Sequence, residues 1–159
     1  MIQCTFEDNS KAYLRHVVVD TLVLHNDQIL LVKRAPRLLE GGKWGLVGGY
    51  VEQKETLPEA VAREVKEETG YTLSHISLLA VNANPRRPHE DRQNISFIFT
   101  ADAEDKKGES DDEVTQEKWF ALDSLPPQDE IAFDHYPDIE LYLQQKNNPQ
   151  HLPIVIYTR

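Results

Sequence analysis

"GGYVEQKETLPEAVAREVKEETGY", Gly48 to Tyr71, carries both ends of a helix in its own letters. Thr56-x-x-Glu59 is a capping box, with Thr56 as N-cap. Pro58 falls in the first turn, where its missing N–H leaves no hydrogen bond unmade. Gly70 stands where a left-handed residue closes a helix. The spacing therefore predicts a helix over 57–69. The stretch also holds six Glu, and Glu64, Glu67 and Glu68 fall within five residues. At about 100° per residue and with Leu57 at the origin, Val61 lies at ~40° and Val65 at ~80°, a buried stripe. Glu64 then lies at ~−20°, Glu68 at ~20° and Glu67 at ~−80°. Two of the acids border or enter the apolar stripe. Like charges at these spacings destabilise a helix by about 0.2–0.5 kcal/mol per pair, and anions in its C-terminal half oppose the helix dipole. Either this is a solvated charged face, or the acids await a cation. Three oxygen donors on one patch suit a hard divalent ion, Mg²⁺ or Mn²⁺.

The rest of the chain frames that helix. At 159 residues it is long enough for one domain with a real core. Asp and Glu outnumber Lys and Arg 27 to 17, for a net charge of −10. That balance argues against a nucleic-acid or membrane-surface binder, which needs a basic face. It leaves room for a phosphate-bearing small molecule, because a bound divalent ion reverses the local sign of charge. The single cysteine, Cys4, excludes an internal disulfide and a multi-cysteine zinc site. The six His show no His-x-x-x-His pair, so zinc is not expected. "MIQCTFEDNSK" has neither a basic nor an apolar leader region, and no apolar run spans a bilayer. The expectation is a cytoplasmic protein.

Working outward, "RHVVVDTLVLH" (15–25) and "QILLVKR" (28–34) read as a β-hairpin with Asn26-Asp27 at its tip. "APRLLEGGKW" is a loop, and "GLVGGYV" is one short strand ending in glycines. "HISLLAVNA" (75–83) and "QNISFIFTADA" (93–103) are strands around the loop "NPRRPHEDR". "EDKKGESDDE" is a charged loop, "VTQEKWFAL" (114–122) a strand, and "AFDHYPDIELYLQQK" (132–146) a second helix that starts or breaks near Pro137. "HLPIVIY" is a candidate edge strand. Strands interspersed with two helices fit an α/β or α+β sandwich with a mixed sheet. The stripe Ile139, Leu141, Tyr142 and Leu143 is ordinary core or the face of a homodimer.

Gly49, Glu55 and then Arg63-Glu64-Val65-Lys66-Glu67-Glu68-Thr69-Gly70-Tyr71 resemble the Nudix hydrolase signature at every fixed polar and glycine position. The flanks "ILLVKR", "GGKWGLVGGYVE" and "EVTQEKWFALDSLP" resemble the family too, so the likeness covers roughly residues 15 to 145. Three positions depart from it. Tyr71 replaces an aliphatic residue, Val47 stands where the family often has Pro, and Lys54 stands where it often has Gly. The resemblance implies a Nudix-type α/β/α sandwich and metal-dependent hydrolysis of a nucleoside diphosphate linked to another group. It implies Glu64, Glu67, Glu68 and the Gly49 carbonyl as metal ligands for Mg²⁺ or Mn²⁺. It implies Arg63, paired with Glu55, as the group that orients the carboxylates. The general base varies within the family; Glu67, Glu68, Asp111, Asp112 and Glu113 are candidates.

The substrate side is less specific. Arg86, Arg87 and Arg92 sit in the loop after the metal helix, as phosphate or ribose contacts or as charges that offset an acidic surface. Pro85 and the run from Asn84 to Phe97 resemble ADP-ribose pyrophosphatase-like members. Arg34 is a phosphate contact or a sheet-edge charge. Trp44, beside the glycine-rich loop, joins the candidate substrate contacts, although a Trp more often packs in a core. Trp119 reads as packing. The leading expectation is ADP-ribose or a nucleotide sugar as substrate. The alternatives are a nucleoside triphosphate pyrophosphatase and a ligand-sensing domain without turnover.

Overall fold

The computed structural model describes residues 2–87, 93–150 and 153–156. Strand β1 (Ile2–Thr5) and strand β2 (Lys11–Leu14) form a separate two-stranded antiparallel ribbon. No sequence signal above marks this ribbon, because its short strands are largely exposed and carry no alternation. The main sheet has eight strands: β3 (Val17–His25), β4 (Gln28–Arg34), β5 (Trp44–Gly45), β6 (Val47–Tyr50), β7 (Tyr71–Asn82), β8 (Ile95–Lys106), β9 (Val114–Ala121) and β10 (Ile154–Ile156). It is mixed. β3 runs parallel to β8 and β10 parallel to β7, while the other pairs are antiparallel. Asn26 and Asp27 both take positive φ, as a tight hairpin tip requires.

The hairpin opens into a fork. β3 and β4 pair only through Val23–His25 and Gln28–Leu30. Beyond that, β3 pairs with β6 and β4 with β5. The segment "GLVGGYV", expected as one strand, thus divides at Leu46, and its Gly45 joins Trp44, expected in the loop, to form the short prong β5.

Side chains alternate across the sheet with period two. Val19 and Val23 of β3 face helix α1 (Leu57–Thr69) and pack with its Ala60, Val61 and Val65. Leu22, Ile29, Leu31 and Ile98 face the other way, with Ile139 of helix α2 (His135–Asn147). Burying each such aliphatic side chain stabilises the fold by about 1.5–3 kcal/mol. The sheet therefore lies between two helical layers. Leu141, Tyr142 and Leu143 pack against the same core. α2 begins at His135, three residues later than the sequence suggested, and Pro137 sits in its first turn where no backbone bond is lost. Among the described residues, no helix is long and apolar enough to cross a membrane.

α1 has the predicted bounds. The Glu59 carboxylate accepts the Thr56 amide and hydroxyl, each at 2.7 Å. Gly70 closes the helix at φ 74°. Lys54 adopts φ 76°, in the left-handed region where a Cβ is strained. Lys54→Gly is expected to stabilise the protein by about 0.5–1 kcal/mol, or a few degrees in Tm. A calorimetric scan checks this, and a lower Tm would mean that the lysine side chain offsets its own strain.

Candidate active site

One cation, Arg63, gathers Glu64 and Glu67 of α1 with Glu55 before it. The Arg63 guanidinium donates to both Glu55 oxygens (Nε to Oε2 3.1 Å, Nη2 to Oε1 2.9 Å) and to the Tyr50 carbonyl at 2.9 Å. Its Nη1 donates to Glu64 Oε1 at 2.8 Å and to Glu67 Oε2 at 3.1 Å. The planar fork can hold one carboxylate with two donors and still reach two others, which a lysine cannot do. Arg63 is pushed above its ordinary value, first by Glu55 and, against the opposing effect of burial, by Glu64 and Glu67. Glu55 is tied again by the Glu52 amide at 2.6 Å.

The angular reading of the helix predicts how deep each acid lies. Glu67 is exposed, Glu64 half-buried and Glu68 buried. Burial pushes the Glu68 carboxyl well above its ordinary value, and the charges of Glu64 and Asp111 add to this. The Gly48 backbone and Arg34 only partly oppose the shift. Its Oε2 has no hydrogen-bond partner among the described residues. Glu64 is raised too, chiefly by burial. The Glu64 carboxylate lies where a side chain on Gly49 would begin, so that glycine is a steric requirement. Among the described residues, no three His, Cys, Asp or Glu side chains converge on one point, and Arg63 binds two of the acids.

Gly49→Ala should therefore push aside the flexible end of Glu64 with little change in Tm. Activity should fall about 10²-fold, as for a ligand displaced by about 1 Å. Gly48→Ala instead meets the Val19 carbonyl, a backbone group in the paired strand, and should destabilise the fold. Paired melting and rate measurements separate the two. Equal loss of stability in both would refute the distinction.

These acids form one wall of a cavity of about 490 Å³. The charged loop after β8 closes one side of it and is fixed to the end of α1. The Lys107 amide donates to the Gly70 carbonyl at 2.8 Å, and the Asp111 amide to the Glu67 carbonyl at 3.0 Å. A side chain on Gly70 would overlap the Gly108 backbone. Asp111 and Glu113 consequently line the cavity. Asp112 points away and pairs with Arg37 at 2.8 Å.

The opposite wall comes from the α2 layer through the fork. The Ala132 amide donates to the Trp44 carbonyl at 2.7 Å, which brings Phe133, Asp134 and His135 beside β5. Arg87 holds Asp134 through Nε (2.9 Å to Oδ2) and Nη2 (2.6 Å to Oδ1), and Asn82 also donates to Asp134 at 2.9 Å. Asp20 accepts the Ser96 hydroxyl, with Arg87 Nη2 at 3.8 Å and His135 Nε2 at 3.5 Å. Burial pushes Asp20 up, but His135, Arg87 and Ser96 outweigh it and hold the carboxyl far below its usual range. Arg34 lies between the two walls. Burial lowers its pKa, opposed by the charges of Glu68, Glu113, Asp20 and Glu40. Its Nε donates to the Leu39 carbonyl at 2.9 Å and its guanidinium lies 5.0 Å from the Phe133 ring.

Of the expected substrate contacts, Arg34 and Arg87 line the cavity, although Arg87 is committed to Asp134. Arg86 is exposed and outside it. Arg92 lies outside the described residues. Trp44 corrects the expectation. It is 8% exposed, packs edge-on against Phe120 at 5.0 Å and does not line the cavity, because strand alternation turns it into the core. Sequence reasoning missed Asp20, Phe133 and His135. A usable signal existed for Asp20, a lone acid within the apolar run "VVVDTLVL".

A family model described as NUDIX domain matches residues 14–141. Over 131 residues the chain is 37% identical to an ADP-ribose pyrophosphatase from Methanocaldococcus jannaschii, covering 82% of this chain and 75% of that one. It spans 29–39% of the length of several other curated relatives. A NUDIX hydrolase structure from Nitrosomonas europaea superposes with a TM-score of 0.73 at 24% identity, covering 99% of this chain and 94% of that one. A bifunctional NMN adenylyltransferase/ADP ribose pyrophosphatase from Francisella tularensis, complexed with AMP and Mn ion, superposes with a TM-score of 0.62 at 28% identity. The match covers 83% of this chain and 42% of that one.

Proposed function

The chain belongs to the Nudix hydrolase family, and from that membership we propose that it splits the pyrophosphate link of ADP-ribose or a related nucleoside diphosphate sugar. One observation carries the reading: a buried Glu68 oxygen with no hydrogen-bond partner among the described residues, among the acids of one helix and at a cavity large enough for a nucleotide. The relative from M. jannaschii supports ADP-ribose as the first substrate to test.

The residues fit a divalent ion. Glu68 has an unused buried oxygen, and the absent side chain of Gly49 leaves Glu64 room beside the strand. Glu64, Glu67, Glu68 and the Gly49 carbonyl would hold Mg²⁺ or Mn²⁺, an all-oxygen set of the kind such hard ions take. Bound there, the ion supplies neutralisation of the diphosphate and acidification of a water. Arg63 orients Glu64 and Glu67. Arg34, between the two walls, faces the diphosphate as the cavity's half-buried cation. Asp111 and Glu113, which line the cavity, would take the proton of the attacking water. Addition of water across the P–O–P bridge gives a nucleoside monophosphate and a sugar phosphate.

Purified protein with Mg²⁺ or Mn²⁺ is expected to release AMP from ADP-ribose, read by chromatography. Release of pyrophosphate from nucleoside triphosphates in preference to that reaction would move the assignment to a triphosphate pyrophosphatase.

A further inference from the structure

Asp20 is buried, ionised and unused by the steps above. It is no base for the attacking water, because its carboxyl is held far below the usual range. His135 is no base either. Its Nδ1 accepts the Leu46 amide at 3.0 Å, which leaves the proton on Nε2, directed at Asp20. That ring has no free lone pair. What the pair leaves open is Asp20 Oδ1. Ser96 occupies Oδ2, and His135 Nε2 lies 3.5 Å from Oδ1, a long contact that takes at most one of that oxygen's acceptor positions and leaves the other without a partner among the described residues. A carboxylate accepts about four hydrogen bonds, so this cavity wall keeps spare acceptor capacity. It repels phosphate and attracts a neutral donor.

Phe133 stands next to it. Its φ of 53° puts a bulky residue in the left-handed region, an outlier of the kind that collects at binding sites. The ring lines the same cavity, 5.4 Å from the His135 ring. The Arg34 guanidinium lies 5.0 Å over the ring, and the apolar surface that it leaves uncovered, beside a carboxylate with acceptor capacity, matches a flat ligand with a donor edge.

We propose that Asp20 and Phe133 form the nucleoside-reading end of the cavity, with Phe133 covering a nucleobase face and Asp20 accepting from its exocyclic amine. This rests on the nucleotide reading above and adds a specificity to it: an amine-bearing base is preferred over one with a carbonyl at that position. A ribose diol offers the same donor chemistry, so the test separates the two.

The probes are adenosine, inosine and 2′,3′-dideoxyadenosine, which bring no charge to the acidic wall. Their affinities are measured by calorimetry or NMR titration with the full chain. Adenosine is expected to bind at least about tenfold tighter than inosine, because a site built around a donor rejects the analogue without it. Asp20→Asn brings an N–H into the site and should bring that ratio to about one or invert it. Ser96→Ala, which frees Asp20 to turn, should narrow the ratio less and serves if Asp20→Asn does not fold. Equal binding of adenosine and inosine by the natural protein, or a ratio that both variants retain, overturns the proposal. A loss confined to the dideoxy probe and erased by Asp20→Asn overturns the amine contact in favour of the diol. The ratio of kcat/KM for ADP-ribose over inosine diphosphoribose should follow the binding ratio. Inactivity of the natural protein on both overturns the hydrolase substrate reading alone, since the titrations still decide Asp20.

Discussion

Glu68→Gln is expected to lower kcat on ADP-ribose by about 10³-fold with the fold intact, the scale seen when a group that stabilises transition-state charge is removed. The substitution keeps the shape of the side chain and removes its charge. In the natural protein burial, Glu64 and Asp111 all disfavour that charge, and one of its oxygens has no partner among the described residues. Such an arrangement costs stability unless a cation answers it. The variant should therefore melt at the same temperature or higher when chelator is present. It should also lose most of the rise in Tm that added Mn²⁺ gives the natural protein. Calorimetry with and without the ion, beside a steady-state assay, reads both. Activity within about tenfold of the natural protein would remove Glu68 from the machinery.

Arg87→Ala is expected to destabilise the protein by about 3–5 kcal/mol, because it strips the cation from a buried pair and leaves the anion behind. Asp134 would keep only Asn82, and Asp20 would lose a nearby positive charge. For a chain of this size the shift in Tm is on the order of 10 °C. The pH dependence has a definite sign. Asp20 has a lowered folded value, so its contribution is present above the unfolded value, roughly 3.9, and fades as pH falls through the lowered one. Without Arg87 the folded value rises. The gap between natural protein and variant should thus be full near neutrality and shrink below about pH 4. Denaturant melts at several pH values test this, and a gap of under about 1 kcal/mol at neutrality would mean that water reaches the pair.

The sequence made α1 legible almost residue by residue. Its caps are local devices, and its period of 3.6 sets Glu64 and Glu68, but not Glu67, beside or within the buried stripe, as their burial bears out. The Arg63–Glu55 pair was legible from the resemblance, and its geometry is bidentate. The α2 wall was not legible. Asp20 meets Ser96 across 76 residues, and Arg87 meets Asp134 across 47. No local pattern encodes such a meeting; only the topology of the sheet produces it. Trp44 misled for a related reason. A glycine-rich neighbourhood suggests a loop, yet Trp44 pairs with Lys33 in β5, and strand alternation decides which way it turns.

The fork between β3 and β4 has one more consequence. An unbroken sheet is a wall that keeps its two faces chemically separate. Here the wall has a window, and each layer of helix contributes its own half of the site through it. The acidic half is carried by the segment around α1 and the loop after β8 that is fixed to it, and the half at Asp20, Phe133 and His135 by distant segments on the other face. The two can drift independently. A lineage can keep the bond-breaking end fixed while it substitutes the other, and so change the cargo it accepts without rebuilding the chemistry.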